Sequence, residues 1–131
     1  MTVEITNVVG VDGVNSGHPG VMYNVIDENN FDVVYFRPHR QDICFQLGYV
    51  LNGAWSGSAS GSCPNGSPSG GVWFTVRVEV SSDKSVNIYL NNDLVTSLTA
   101  HFNAKGRGGV LVANGYQNII LFRGFDITKN V

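Results

Sequence analysis

The sequence is poor in charged residues and has no long apolar run. Charged side chains make up 14% of the 131 residues, and the formal net charge of -2 leaves no basic stripe of the kind that nucleic-acid-binding proteins carry. No run approaches the roughly 18 apolar residues that a membrane-spanning helix needs. The first residues have neither a basic segment nor a long apolar one, so no signal peptide is predicted within this sequence. The composition argues against a nucleic-acid partner and against membrane insertion.

Cysteine is also scarce, with Cys44 in an apolar run and Cys63 in a Gly/Ser-rich segment. We expect the two to form a disulfide, because a free thiol in an exposed loop is a liability. Two unrelated thiols are the alternative, and zinc is disfavoured because two cysteines supply only half of its four ligands. A disulfide indicates an oxidising compartment, so we expect an extracellular, secreted protein.

No window keeps a helical spacing of apolar residues without interruption, and residues 97–105 hold the only candidate for a helical turn. Alternation with period two recurs instead, so that Phe74, Val76 and Val78 are expected on one buried face. The strands predicted in this way are Phe31–Arg37, Ile43–Leu51, Val72–Val80, Val86–Leu90, Leu94–Leu98, Gly109–Ala113 and Asn118–Ile127. This pattern predicts an all-β, antiparallel sandwich in one domain spanning residues 1–131.

One segment, residues 52–71, is composed mostly of Gly, Ser and Pro and is expected to be a long loop. The disulfide would tie its middle to the preceding strand. Trp55 lies in this segment, where a large aromatic side chain has no obvious core to enter. Asn65 begins an Asn-Gly-Ser glycosylation motif, which Pro68 makes less favourable.

Several segments resemble the strands of concanavalin A-like lectin/glucanase domains, including laminin G-like modules. The segments that carry the resemblance are Asn30–Pro38, Trp73–Val80, Val86–Asn91, Gly108–Val112, Asn118–Phe122 and Phe125–Ile127. The resemblance covers most of residues 30–127 and implies a compact jelly-roll sandwich. Members of this superfamily include sugar-binding lectins, glycosidases and adhesion modules, so the resemblance alone does not decide the activity.

Catalysis is disfavoured by the carboxylates. A retaining glycosidase needs two carboxyl groups about 5–5.5 Å apart, and the glucanase branch places them in a Glu-x-Asp-x-x-Glu run that this sequence lacks. Glu79 stands alone on its strand, with Arg77 on the same face, which predicts a surface ion pair. The sequence therefore predicts a protein that is not an enzyme.

Calcium is the one cofactor that the sequence suggests. Side-chain oxygens are concentrated at one turn, and the candidate ligands are Asp27, Glu28, Asn30 and Asp32. Lectin and laminin G members of the resembling family often bind calcium near the rim of the sandwich. The alternative is a solvated turn with Asx capping.

A sugar site needs an aromatic face beside planar polar groups, because a sugar ring has an apolar face and a fan of hydroxyls. Trp55 is the stacking candidate, and its alternative role is to pin the loop to the sandwich. The polar candidates lie in two turns and are Arg37, His39, Arg40, Gln41 and Asp42 in the first and Asn114, Tyr116, Gln117 and Asn118 in the second. Ordinary turn chemistry is the alternative for both. A third group, His101, Lys105 and Arg107, forms a small basic patch.

The sequence thus predicts a carbohydrate-binding, lectin-like module whose partner is a glycan or a glycoprotein and in which calcium assists. The second hypothesis is a structural or adhesion module that binds protein or forms a homo-oligomer. In that case Tyr35, Tyr49 and Tyr89 would share an aromatic sheet face.

Overall fold

Ten β-strands form the regular structure of the described part of the chain, which comprises residues 2–7, 18–37, 42–68, 72–103, 107–113 and 120–127 of a computed structural model. The strands are β1 (Thr2–Asn7), β2 (His18–Asp27), β3 (Asn30–Phe36), β4 (Phe45–Leu51), β5 (Ala54–Gly61), β6 (Trp73–Val80), β7 (Ser85–Leu90), β8 (Asp93–Thr99), β9 (Gly108–Ala113) and β10 (Ile120–Asp126). No helix occurs in these ranges, and residues 97–99 of the expected helical turn belong to β8 instead. Consequently no described helix is long and apolar enough to cross a membrane.

The strands form two five-stranded sheets in which every neighbouring pair is antiparallel. We call the sheet with the order β5-β4-β3-β2-β9 the front sheet, and the sheet with the order β10-β1-β6-β7-β8 the back sheet. The predicted antiparallel β-sandwich is confirmed.

The core lies between the two sheets and follows the period-two pattern. The front sheet contributes Val21, Tyr23, Val34, Phe36, Phe45 and Leu47, and the back sheet contributes Phe74, Val76, Val78, Val86, Ile88 and Leu90. Their alternation within each strand places one side chain in two against the other sheet. Because Phe45 and Leu47 face the core, the intervening residues of β4 face away from it. This outward surface is called the outer face of the front sheet below.

The Gly/Ser-rich segment is a strand for part of its length, so the expectation of one long loop is wrong for residues 54–61. Asn52 and Gly53 both have positive φ angles, of 52° and 82°, as a two-residue type I′ hairpin turn requires. β5 then returns along β4, with Leu51 opposite Ala54 and Phe45 opposite Gly61. The backbone ladder and the tight turn determine this pairing, since the small side chains of β5 add little to it.

The expected disulfide is confirmed and links the open end of this hairpin. Cys44 precedes β4, Cys63 follows β5, and their Cα atoms are 5.6 Å apart. Both cysteines are buried in the core. The disulfide therefore anchors the edge strand β5 to the interior of the sandwich.

Candidate functional site

Trp55 lies on β5, at the edge of the front sheet, and its side chain is 43% exposed. It pairs with Val50 of β4. Since Leu47 faces the core and side chains alternate along a strand, Val50, three residues later, lies on the outer face. The indole lies against Gly48, where a β carbon would meet the ring carbon Cη2 at 2.5 Å. Trp55 is therefore an aromatic surface of the sheet itself, and the expectation that it lies in an irregular loop is wrong.

Tyr35 of β3 is the second aromatic residue of this face. Its ring centroid is 5.3 Å from that of Trp55, and the two planes are inclined at 58°. Tyr35 in turn lies against Gly20 of β2, where a β carbon would be 2.7 Å from the tyrosine ring. Half-burial raises the pKa of the Tyr35 hydroxyl, so it stays neutral at physiological pH. We call Trp55 and Tyr35 the aromatic platform.

Apolar side chains lie on the same face of the front sheet as the platform. Val33 is paired with Met22 on one side and with Gly48 on the other, and it is fully buried although it lies outside the core between the sheets. Phe31, two residues earlier on the same face, is also buried. Buried apolar side chains therefore lie at the centre of the outer face.

Polar groups lie directly beside the platform. Arg37, at the end of β3, donates a hydrogen bond from Nη2 to Oε1 of Gln46 on β4. A β carbon at Gly57 would lie 3.7 Å from Nε1 of Trp55 and 3.8 Å from Nε2 of Gln46, so these two nitrogens flank the same open space above Gly57. The site thus combines an aromatic surface with an amide and a guanidinium.

The structure brings together only part of the predicted polar set. Arg37 and Trp55 belong to one site, and Gln46, which the sequence pattern did not single out, connects them. Asp42 is exposed in the connection between β3 and β4. Several of the predicted residues lie outside the described residues, namely His39, Arg40, Gln41, Asn114, Tyr116, Gln117 and Asn118.

The four candidate calcium ligands do not form one site. Asp27, at the turn between β2 and β3, accepts hydrogen bonds from the backbone of Asn29 and the side chain of Asn30, which lower its pKa. Glu28 is exposed in the same turn. Asp32 is buried, and within the described ranges no group of three or more His, Cys, Asp or Glu side chains is placed to hold a metal ion.

Asp32 instead holds a connecting segment of the chain. Its two carboxylate oxygens accept the backbone N–H groups of His101 and Phe102, at 3.0 and 3.1 Å, and the side-chain amide of Asn24 at 3.1 Å. The imidazole of His101 is stacked on Tyr49, with ring centroids 3.8 Å apart. This cluster joins the segment after β8 to the front sheet, so the role of Asp32 is to stabilise the fold.

Two residues of the predicted basic patch, His101 and Arg107, lie within the described residues. Arg107 donates to the backbone oxygen of Ile26, and Lys84 donates to that of His101. Lys105 lies outside the described residues. Arg107 of the predicted patch and Lys84, which was not part of it, thus each bind a backbone carbonyl group.

The outer face of the back sheet carries its own aromatic residues. Arg123 lies over the ring of Trp73 at 3.7 Å, and Arg77 lies over Tyr89 at 4.1 Å. Glu79 is 3.3 Å from Nε of Arg77, which confirms the predicted surface ion pair. Tyr35, Tyr49 and Tyr89 contact different partners on different surfaces, so the expectation that they share one sheet face is wrong.

Two solved structures are similar to this fold. The carbohydrate-binding module CBM66 from Bacillus subtilis superposes with a TM-score of 0.68 over 93% of this chain and 69% of its own, at 20% identity. Sheep galectin-11, solved in complex with glycerol, has a TM-score of 0.57 over 92% of this chain and 88% of its own, at 13% identity. No protein-family model matches the sequence. The likeness shows the β-sandwich fold, and membership of the concanavalin A-like superfamily stays a prediction.

Proposed function

We propose that this protein is a non-catalytic carbohydrate-binding module that binds a glycan on the outer face of its front sheet. The observation that carries the proposal is the partly exposed indole of Trp55, which packs against Gly48 beside the Arg37–Gln46 pair. A fixed aromatic face offers a surface for the C–H groups of a sugar ring, and the adjacent amide and guanidinium offer donors to its oxygens.

The comparisons support a sugar ligand over other small molecules. One similar structure is named as a carbohydrate-binding module, and the other, a galectin, was solved with glycerol, a polyol. Neither resemblance places the ligand on this chain. The position of the ligand is inferred from the aromatic platform and its polar neighbours alone.

A glycan array followed by calorimetric titration of the best ligand tests the proposal. Trp55→Ala is expected to weaken binding at least roughly tenfold, because it removes the stacking surface. Trp73→Ala is the matched control, since Trp73 is also partly exposed but lies on the opposite sheet. Absence of glycan binding by the wild-type protein, or equal losses in both variants, would contradict the proposal.

Calcium assistance is a separate part of the proposal and needs its own measurement. The turn around Asp27 is where calcium would act, since its carboxylate is exposed there. The titration is therefore repeated with calcium and with a chelator. An affinity that is the same in both conditions removes calcium from the mechanism and leaves the platform proposal intact.

The disulfide supports a proposal about the compartment. Cys44 and Cys63 are joined in the core, and such bonds persist in oxidising surroundings. We infer that the protein works outside the cytosol, where glycans and glycoproteins are the accessible partners.

A further inference from the structure

Two N–H groups flank one space beside the aromatic platform, and a guanidinium is bound to the far side of one of them. Nε1 of Trp55 and Nε2 of Gln46 flank the space above Gly57, and the guanidinium of Arg37 is hydrogen-bonded to the same Gln46. Gly57 has no side chain to fill this space. Its φ angle is not positive, so its backbone conformation is one that any residue adopts. We call this space the Gly57 subsite.

The orientation of the Gln46 amide is determined by Arg37. A guanidinium only donates hydrogen bonds, so the group that faces it must be the carbonyl oxygen Oε1. The Nε2 amino group is therefore turned to the other side, toward Gly57. Since indole Nε1 also only donates, the two groups that flank the subsite offer hydrogen-bond donors and no acceptor, and Arg37 adds a positive charge on the other side of the Gln46 amide.

Arg37 carries a positive charge next to Gln46. Within the described residues Arg37 forms no ion pair. By contrast, Arg77 on the back sheet lies 3.3 Å from the carboxylate of Glu79. Among the described residues, the side-chain partner of Arg77 is therefore a carboxylate, whereas that of Arg37 is the neutral amide of Gln46.

We propose that the Gly57 subsite binds an anionic substituent, a carboxylate or a sulfate, of an acidic glycan whose sugar ring lies on the aromatic platform. This inference rests on the proposed function and names the class of its ligand. A neutral hydroxyl both donates and accepts, whereas a carboxylate or sulfate oxygen only accepts and carries the charge that complements Arg37.

Matched polysaccharides test the inference. Polygalacturonate is compared with its fully methyl-esterified form, and dextran sulfate with dextran, so that each pair differs only in the charged group. We expect the wild-type protein to bind at least one acidic polymer at least roughly tenfold more tightly than its neutral counterpart. Because the contact is electrostatic and partly exposed, this preference decreases as the salt concentration is raised.

Two variants address the subsite directly. Arg37→Gln is expected to lower the affinity for the acidic polymer roughly tenfold to a hundredfold, and Arg37→Lys to lower it less, since the lysine keeps the charge but not the fork. Gly57→Ala fills the subsite with a methyl group at ordinary contact distance from Trp55 and is expected to lower the acidic preference as well. Arg77→Gln is the control, because Arg77 lies on the opposite sheet.

The outcomes separate the inference from the proposed function. Tighter binding of polygalacturonate than of its methyl ester identifies a uronate-type ligand. Tighter binding of dextran sulfate than of dextran identifies a sulfated ligand. If the protein binds neutral and acidic polymers equally, or keeps its preference in Arg37→Gln, the inference is overturned while carbohydrate binding stands. If no polymer and no array glycan binds, both are overturned.

Discussion

Trp55 lies so close to Gly48 that position 48 has no room for a side chain. A β carbon there would come within 2.5 Å of the indole carbon Cη2 and against the backbone oxygen of Ser56. Tyr35 has the same relationship to Gly20, at 2.7 Å. Both rings of the platform therefore pack against glycines on neighbouring strands, where no side chain separates the ring from the backbone.

Gly48→Ala is expected to destabilise the protein and to displace Trp55. The added methyl group meets both a ring and a backbone carbonyl, and overpacking of this kind costs about 1–3 kcal/mol. Urea unfolding measures the loss of stability, and the tryptophan emission spectrum of the folded state reports the new environment of the indole.

Gly57→Ala is the matched control for this prediction. Its β carbon has contacts of 3.7–3.8 Å with Trp55 and Gln46, which are ordinary van der Waals distances. We expect an unfolding free energy close to that of the wild-type protein. If Gly48→Ala is as stable as Gly57→Ala, the close packing of Trp55 on Gly48 is not present in solution.

The sequence pattern predicted the back sheet better than the front sheet. In β6 and β7 the alternation of valine and isoleucine with polar residues matches the buried positions Phe74, Val76, Val78, Val86 and Ile88. These strands are buried on one face only, so apolar and polar residues alternate along them and indicate a strand directly.

Three strands escaped prediction for different reasons. Apart from Trp55, β5 consists of small residues, so its pairing depends on the backbone and on the Asn52–Gly53 turn, although an Asn-Gly pair after a strand is itself a hairpin signal. β1 and β2 were not expected at all. In β2 the apolar run from Val21 to Ile26 was a usable signal, although Asn24, at a positive φ of 51°, interrupts its regular pairing.

The candidate site was only half visible in the sequence. Trp55 and Arg37 attract attention as residue types, but Gln46 and the glycines beneath the rings acquire their role from strand register alone. Asp32 shows the opposite error, because an acidic residue near a polar turn suggested a metal ligand while long-range contacts with His101 and Phe102 use its oxygens. Sequence spacing does not encode contacts over such separations.

Tyr23→Phe is expected to stabilise the protein. The hydroxyl of Tyr23 is buried in the core and has no hydrogen-bond partner among the described residues. A buried unsatisfied polar group costs about 1–3 kcal/mol, so its removal should raise the unfolding free energy by about 1 kcal/mol at neutral pH. A variant less stable than the wild-type protein would show that the hydroxyl has a partner.

The same variant should alter the alkaline limit of stability. Burial, and to a lesser extent the charge of Asp32, raise the pKa of Tyr23 above its usual value of about 10. Because the folded-state pKa is the higher one, its contribution to stability is complete below about pH 10 and is lost as the pH rises toward that pKa. Urea unfolding between about pH 9 and pH 11 should therefore show a smaller loss in Tyr23→Phe than in the wild-type protein.

Asp32→Asn should destabilise the fold more than Asp27→Asn. Asp32 accepts two backbone N–H groups and the amide of Asn24 in a buried position, and hydrogen bonds to a charged group contribute about 1.5–3 kcal/mol. Asp27 is fully exposed, and its bonds remain within its own turn. Urea unfolding of both variants checks the order, and equal losses would contradict the structural role of Asp32.

Removal of the disulfide is expected to lower stability by about 3 kcal/mol, because it restores the conformational freedom of the unfolded segment between the two cysteines. The variant is Cys44→Ala combined with Cys63→Ala, which avoids burying hydroxyl groups in the core where both cysteines lie. Urea unfolding is measured with and without reductant. The wild-type protein should approach the stability of the double variant when reduced, whereas reductant should leave the double variant unchanged. A wild-type protein that is insensitive to reductant throughout unfolding would show that the bond does not form in solution, and the inference of an oxidising compartment would be lost with it.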